Sequence, residues 1–362
     1  MTQALASTPV QTQSLTASTF MSQLDDGSPP ASTPESSNSN AQTLAALWAK
    51  KYYTAVTASV ETEQLKKAQT LKEVTSKEGR SRTAKKLLQN LNLATAQAWT
   101  ATETLLSEEM RRQGINRDSI APLEIAKDTR HLFQKALSAY SLRATPRHLS
   151  VILGKDFGRV REKYTRIEPR AIAFVGMQFH HTGQSLLQWL STTEQGLWMP
   201  YLKVMDDHMY MPLRDAYAAA ANHELDSPAV AAVQHLLPIT SKVASKVCSE
   251  ICRLHPNYRS YNGALTHINV RTSSIRDVEM FQVYLCLCVL EGNMRSVQQE
   301  LFPLCVMLYP RLQVSWELVQ DMLKVMGWAM KLYLSYDDMT IVSPYLRTLS
   351  EMFSGEVFQE DN

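Results

Sequence analysis

From Leu44 onward the apolar residues recur at helical intervals. Leu44, Leu47, Tyr52, Val56 and Val60 lie three to five residues apart, the spacing that lines up side chains on one face of an α-helix. Leu87, Leu88, Leu91, Leu93, Ala98, Leu105 and Leu106 predict a second helix, with a polar break at Lys77–Arg82 before it and Gly114 at its end. Asp118 is placed to cap a third, with Pro122 in its first turn. Residues 144–167, which contain Gly154 and Gly158, read as irregular. A stripe of Ile172, Val175, Phe179, Leu186, Leu187 and Leu190 begins after Pro169, and Ser191-Thr-Thr-Glu194 has the form of a capping box. Pro212 begins or kinks a further helix, and Ser227-Pro228 opens a long one through Ile251. Pro256–Gly263 reads as a loop. Thr272–Glu291 is a mostly apolar helix stopped by Gly292, with Val283, Leu285, Leu287 and Leu290 expected in the core. Leu301–Leu308, Trp316–Tyr333 and Ser343–Phe353 predict the last helices. Alternation of period two and hairpin dipeptides are missing. The fold class is all-α.

Residues 1–42 break this pattern. They are Ser, Thr, Pro, Gln, Asn and Ala with almost nothing to bury, which predicts a disordered tail. The remainder of the 362-residue, 44% hydrophobic chain is enough for a sizeable core. The net charge of +2 hides a strong asymmetry. Residues 1–42 carry −3. Residues 43–170 carry 24 basic and 13 acidic residues, or +11, and residues 171–362 carry −6. The expected organisation is a tail, a basic helical section over 43–170 and a helical domain over 171–362. The basic section, with pairs at Lys66-Lys67, Lys85-Lys86 and Arg111-Arg112, suits an acidic protein partner or an anionic membrane surface. Nucleic acid fits less well, because acids interrupt the pairs and no recognition helix follows. Five cysteines, two of them in an apolar run, suggest a reducing compartment. No stretch of 18 apolar residues free of charge occurs, so no transmembrane segment is expected and the reading is cytoplasmic.

Candidate chemistry is sparse. There is no phosphate loop, nucleophile elbow or paired-cysteine metal motif, and no nucleophile, base and orienting group can be assembled into a catalytic set. The expectation is therefore no enzyme, no metal and no resident cofactor. Asp206-Asp207-His208 is the densest polar cluster. Neighbours on a helix diverge by about 100°, so the three read as a hydrogen-bonded helix terminus rather than as ligands of one ion. His180-His181 diverges in the same way. Cys248 and Cys252 share a face but read as buried thiols.

The most specific segment runs from Ser273 to Asn293. An Arg276-Asp277 pair opens an otherwise apolar helix, with Asp277 in the first turns, where the helix dipole favours an anion. This segment resembles the phycobiliproteins, the globin-like light-harvesting subunits of phycobilisomes in cyanobacteria and red algae. Their central helix carries Cys-x-Arg-Asp, an aromatic and aliphatic run and a Gly-Asp turn. Here Ser274-Ile275-Arg276-Asp277 and Gly292-Asn293 stand in register. Ile239–Pro256, Val297–Leu308 and Ser315–Tyr333 resemble the helices around it, so the likeness covers about residues 225–335. It implies a globin-like core preceded by additional helices. It also implies that Asp277 faces pyrrole nitrogens and Arg276 a propionate of a linear tetrapyrrole. Ser274 stands at the attachment cysteine, and a hydroxyl cannot form that thioether. The implied function is a non-catalytic accessory or regulatory protein of the phycobilisome, without a covalent chromophore. It would act through protein contacts, in the cytoplasm or peripheral to the thylakoid. The alternatives are a sensor that binds a bilin, haem or lipid non-covalently, and a helical scaffold or assembly factor of the photosynthetic apparatus.

Overall fold

The structure, a computed structural model, describes residues 35–58 and 72–354. Among them are thirteen α-helices: α1 (Glu35–Ala58), α2 (Lys77–Arg112), α3 (Pro122–Ser141), α4 (Pro146–Thr165), α5 (Ala171–Leu187), α6 (Thr192–Tyr210), α7 (Leu213–Ala220), α8 (Pro228–Leu236), α9 (Thr240–Leu254), α10 (Ile268–Glu291), α11 (Phe302–Leu308), α12 (Trp316–Lys331) and α13 (Tyr336–Met352). A two-residue hairpin, β1 (Arg259–Ser260) and β2 (Gly263–Ala264), joins α9 to α10. The chain is all-α, as its periodicity requires.

Helix α10 is the axis of the packing. Every residue from Val278 to Leu290 is buried, the state expected of a helix apolar on all sides. Val283, Leu285, Leu287 and Leu290 lie in the core as expected. Gly292 ends the helix with φ 68°, a left-handed conformation that glycine adopts without a Cβ clash. Around this axis α9 packs on α10 and α12, and α13 packs on α8 and α10. Helix α2 lies along α5 and α3, and α4 lies on α6. The described residues from Ser36 onward form one compact unit with one core. Helix α2 of the basic section thus packs on α5 of the acidic half, and the sign change at residue 170 marks no boundary in the fold.

Several local expectations are corrected. The first helix reaches back to Glu35, into the segment expected to be disordered, and Asn40 is buried with its amide on the carbonyls of His223 and Glu224. The rest of the expected tail, residues 1–34, lies outside the described residues, as do Lys66 and Lys67. Lys77–Arg82 is no break but the start of α2, capped by Ser76, whose hydroxyl accepts the N–H of Gly79 at 2.9 Å. Asp118 caps nothing: α3 starts at Pro122, and Asn116 caps a short turn before it. The long helix expected after Pro228 is two, because Pro238 cannot continue the hydrogen-bond ladder and a 3₁₀ turn intervenes. The stretch 144–167 is not irregular. Thr145 caps it and α4 runs through both glycines. Those positions are close approaches: a Cβ at Gly154 would lie 3.2 Å from the His208 ring, and one at Gly158 would lie 2.4 Å from Cδ of Arg214. The Ser191–Glu194 capping box forms as expected.

Several cations of the basic section are ion-paired with the fold's carboxylates. Lys86 pairs with Glu194, Lys135 with Asp156, Lys163 with Asp128 and Arg170 with Glu168. Arg161 is buried, bonded to Glu300, Tyr284 and the carbonyl of Met209.

Candidate functional site

Helix α10 begins at Ile268, four residues earlier than its sequence pattern suggested. Arg276 and Asp277 are therefore more than two turns inside the helix. The expectation that the helix dipole holds the Asp277 anion is overturned, since that effect fades within the first turn. What holds it is Arg276, whose guanidinium donates to Asp277 Oδ1 at 3.0 and 3.2 Å and reaches across to Asp206 Oδ2 of α6 at 3.2 Å. The same guanidinium lies 4.3 Å above the ring of Tyr210.

These groups form one end of a cavity of about 150 Å³. Ser274, Arg276 and Asp277 line it together with His180 of α5 and Tyr210 at the end of α6. Apolar residues from four sides complete it, among them Ile251 of α9, Leu265 before α10, Leu312 after α11 and Met322 of α12. About a quarter of the Asp277 side-chain surface remains open. The three positions singled out from the sequence thus converge on one concave site. His180, Tyr210, Cys248 and Cys252 join them from α5, α6 and α9, and only tertiary packing brings these in. Cys248 and Cys252, read from the sequence as buried thiols, stand in the cavity wall opposite the Ser274 helix; Cys286 and Cys288 are buried farther along α10, outside it.

The electrostatics follow from burial. Desolvation opposes the charge on Arg276, yet Asp206 and Asp277 outweigh it and hold the guanidinium firmly protonated. Asp277 is raised by burial, with Arg276 pulling the other way. Burial lowers His180 to about 4, so the imidazole is neutral near pH 7, and it raises the Tyr210 hydroxyl. Two carboxylates face a single guanidinium, so the polar end carries an excess of acceptors. A ligand that donates N–H or O–H bonds suits it better than an anion.

The Asp206-Asp207-His208 cluster diverges as the helical geometry requires. Asp206 meets Arg276. Asp207 accepts from Tyr52 at 3.0 Å and Lys203 at 2.5 Å. His208 Nε2 lies 2.7 Å from Ser150 Oγ, and burial lowers the imidazole to about 3. His180 and His181 touch edge to face without sharing a partner. Among the described residues no group of three or more His, Cys, Asp or Glu is placed to hold a metal ion. No described helix is long and apolar enough to cross a membrane. No known family, curated protein or solved structure matches this chain.

Proposed function

We propose that this chain is a non-catalytic accessory protein, related to the phycobilisome proteins, that holds a small ligand non-covalently in the cavity beside Arg276 and Asp277. The observation that carries the reading is the convergence of Ser274, Arg276 and Asp277 on one mostly apolar cavity. The resemblance assigns those three positions to a tetrapyrrole pocket.

The residues support binding rather than turnover. Arg276 is locked between two carboxylates, and burial keeps Tyr210 protonated and His180 neutral. Burial also pushes the Cys248 thiol up to about 12, far from a reactive thiolate. A linear tetrapyrrole brings a row of N–H donors, and the acceptor excess at Asp277 suits them. A cavity of about 150 Å³ is the size that holds one benzene-like ring, so one ring of such a ligand enters while the rest lies toward the mouth. Ser274 excludes the thioether of the antenna subunits.

The test is titration of the purified full-length chain with biliverdin, followed by absorbance and by calorimetry. Saturable binding that Asp277→Asn weakens at least tenfold, with the protein still folded, supports the reading. A chain that binds no bilin, or binds it equally in the Asp277→Asn and Arg276→Gln variants, overturns it.

A further inference from the structure

We propose that the mouth of the cavity is a docking face for an anionic lipid bilayer. Residues 251–276 contain four arginines and no Asp or Glu, inside a half of the chain that is otherwise acidic. Two of those arginines are used internally: Arg253 pairs with Glu250, and Arg276 with Asp206 and Asp277. Arg259 and Arg271 are exposed and make no ion pair among the described residues. They stand beside the largest exposed apolar side chains of the region. Tyr261 is 65% exposed, Ile268 69% and Leu254 45%.

The placement is ordered. Leu254 ends α9 and Ile268 begins α10, so both lie at the end of the helix pair that the hairpin closes. Ile268 and Arg271 are three residues apart on α10 and share a face. Tyr261 sits at the hairpin tip, whose backbone is tied down: the Tyr261 N–H donates to the Leu312 carbonyl at 2.9 Å, and the Tyr258 hydroxyl donates to the Gln313 carbonyl at 2.8 Å. Tyr261 is therefore held out in water by a braced loop, and Leu254 and Ile268 by the helix ends beside it. Asn262 and Arg271 line the cavity while being exposed, so the cavity opens within this patch.

An aromatic and an aliphatic residue at headgroup depth, interleaved with two unpaired guanidiniums, match an anionic bilayer. The apolar tips enter the acyl boundary and the arginines meet phosphates. The mostly apolar cavity would then open toward hydrocarbon rather than toward water. This face lies outside the 43–170 section, and the inference holds whatever occupies the cavity.

Co-sedimentation of the full-length chain with sucrose-loaded vesicles tests it, using phosphatidylcholine alone and phosphatidylcholine with phosphatidylglycerol. Binding is expected only to the anionic vesicles. Neutralising Arg259 and Arg271 to Gln should weaken it about fivefold per charge, and the Tyr261→Ser/Ile268→Ser variant should weaken it by a similar factor. A control variant, Arg143→Gln/Arg147→Gln on the basic section, should bind like the parent. All these positions are exposed, and thermal unfolding checks that each variant is folded. The proposal is overturned if neither vesicle binds, if the mouth variants bind like the parent, or if the control alone loses binding. Retention on a polyanionic protein column with no vesicle binding would assign the face to a protein partner and also overturn it.

Discussion

Cys252 differs from the other cysteines in having a partly exposed surface; Cys248, Cys286, Cys288 and Cys305 are all buried. Burial pushes Cys248 up to about 12 and raises Cys286, Cys288 and Cys305 as well, so none of these offers a thiolate near neutral pH. N-ethylmaleimide applied to the native protein is expected to modify one thiol per chain, at Cys252. The other four should react only after unfolding. Intact-mass spectrometry and peptide mapping read the result, and labelling of Cys286 or Cys288 in the native state would contradict the packing of α10. A cavity ligand should slow the modification, because Cys252 lines the cavity. At this scale the divergence of Asp206, Asp207 and His208 was legible from the helical rotation alone. The environment of Asp277 was not, because Asp206 and Tyr210, which meet Arg276 beside it, and His180 of the same cavity come from distant parts of the chain.

At the scale of elements, glycine misled. Gly154 and Gly158 look like breakers, yet α4 runs through both, and their lack of a Cβ lets His208 and Arg214 lie against them. Gly158→Ala is a direct check. Alanine favours a helix over glycine by about 1 kcal/mol. Its methyl, however, would meet Arg214 at its Cβ, Cδ and Nε, and Arg214 is already tied to Glu162 and Asp215. The overlap should win, giving a net loss of about 1–2 kcal/mol in chemical denaturation. A variant as stable as the parent would show that Arg214 swings aside freely. The helix ends at Gly292 and at the Ser191–Glu194 box were readable beforehand, because a cap is a local interaction.

Across the whole molecule, a buried ionic knot joins four helices. Glu279 of α10 accepts from Lys51 of α1 at 2.6 Å, from Lys203 of α6 at 3.2 Å and from Ser241 of α9 at 2.5 Å. Asp207 bonds Lys203 and Tyr52 beside it, and Trp48 donates to the Tyr52 hydroxyl at 2.8 Å. Burial would raise Glu279, but Lys203 and Lys51 hold it down to about 2. Its folded pKa therefore lies below the unfolded value of about 4.3. Its contribution is complete above that value and is lost as the pH falls toward 2. Glu279→Gln leaves Lys51 and Lys203 with Asp207 as their remaining carboxylate and should cost up to about 3 kcal/mol at pH 7. Denaturation midpoints of parent and variant, measured from pH 7 down to 2, should converge as the acid range is entered. A gap independent of pH would show that the carboxylate charge is not what Glu279 contributes. At the same scale, part of the +11 is balanced by acids from the other half of the chain: Lys51 pairs with Glu279, Lys86 with Glu194 and Arg161 with Glu300.

The sequence by itself determined the all-α class, the burial of α10 and the stops at Gly114 and Gly292. Periodicity, apolar runs and glycine conformations act over a few residues, and those are visible in a string. The resemblance of the Ser273–Asn293 segment to the phycobiliproteins also singled out Ser274, Arg276 and Asp277. Tertiary structure alone decided that these three face a cavity and that α5, α6, α9 and α12 contribute to its other walls. It alone decided that two glycines admit neighbours rather than end a helix, and that Lys51 reaches Glu279 across more than two hundred residues of chain. Such contacts depend on which helix faces pack, and facing is a property of the folded whole.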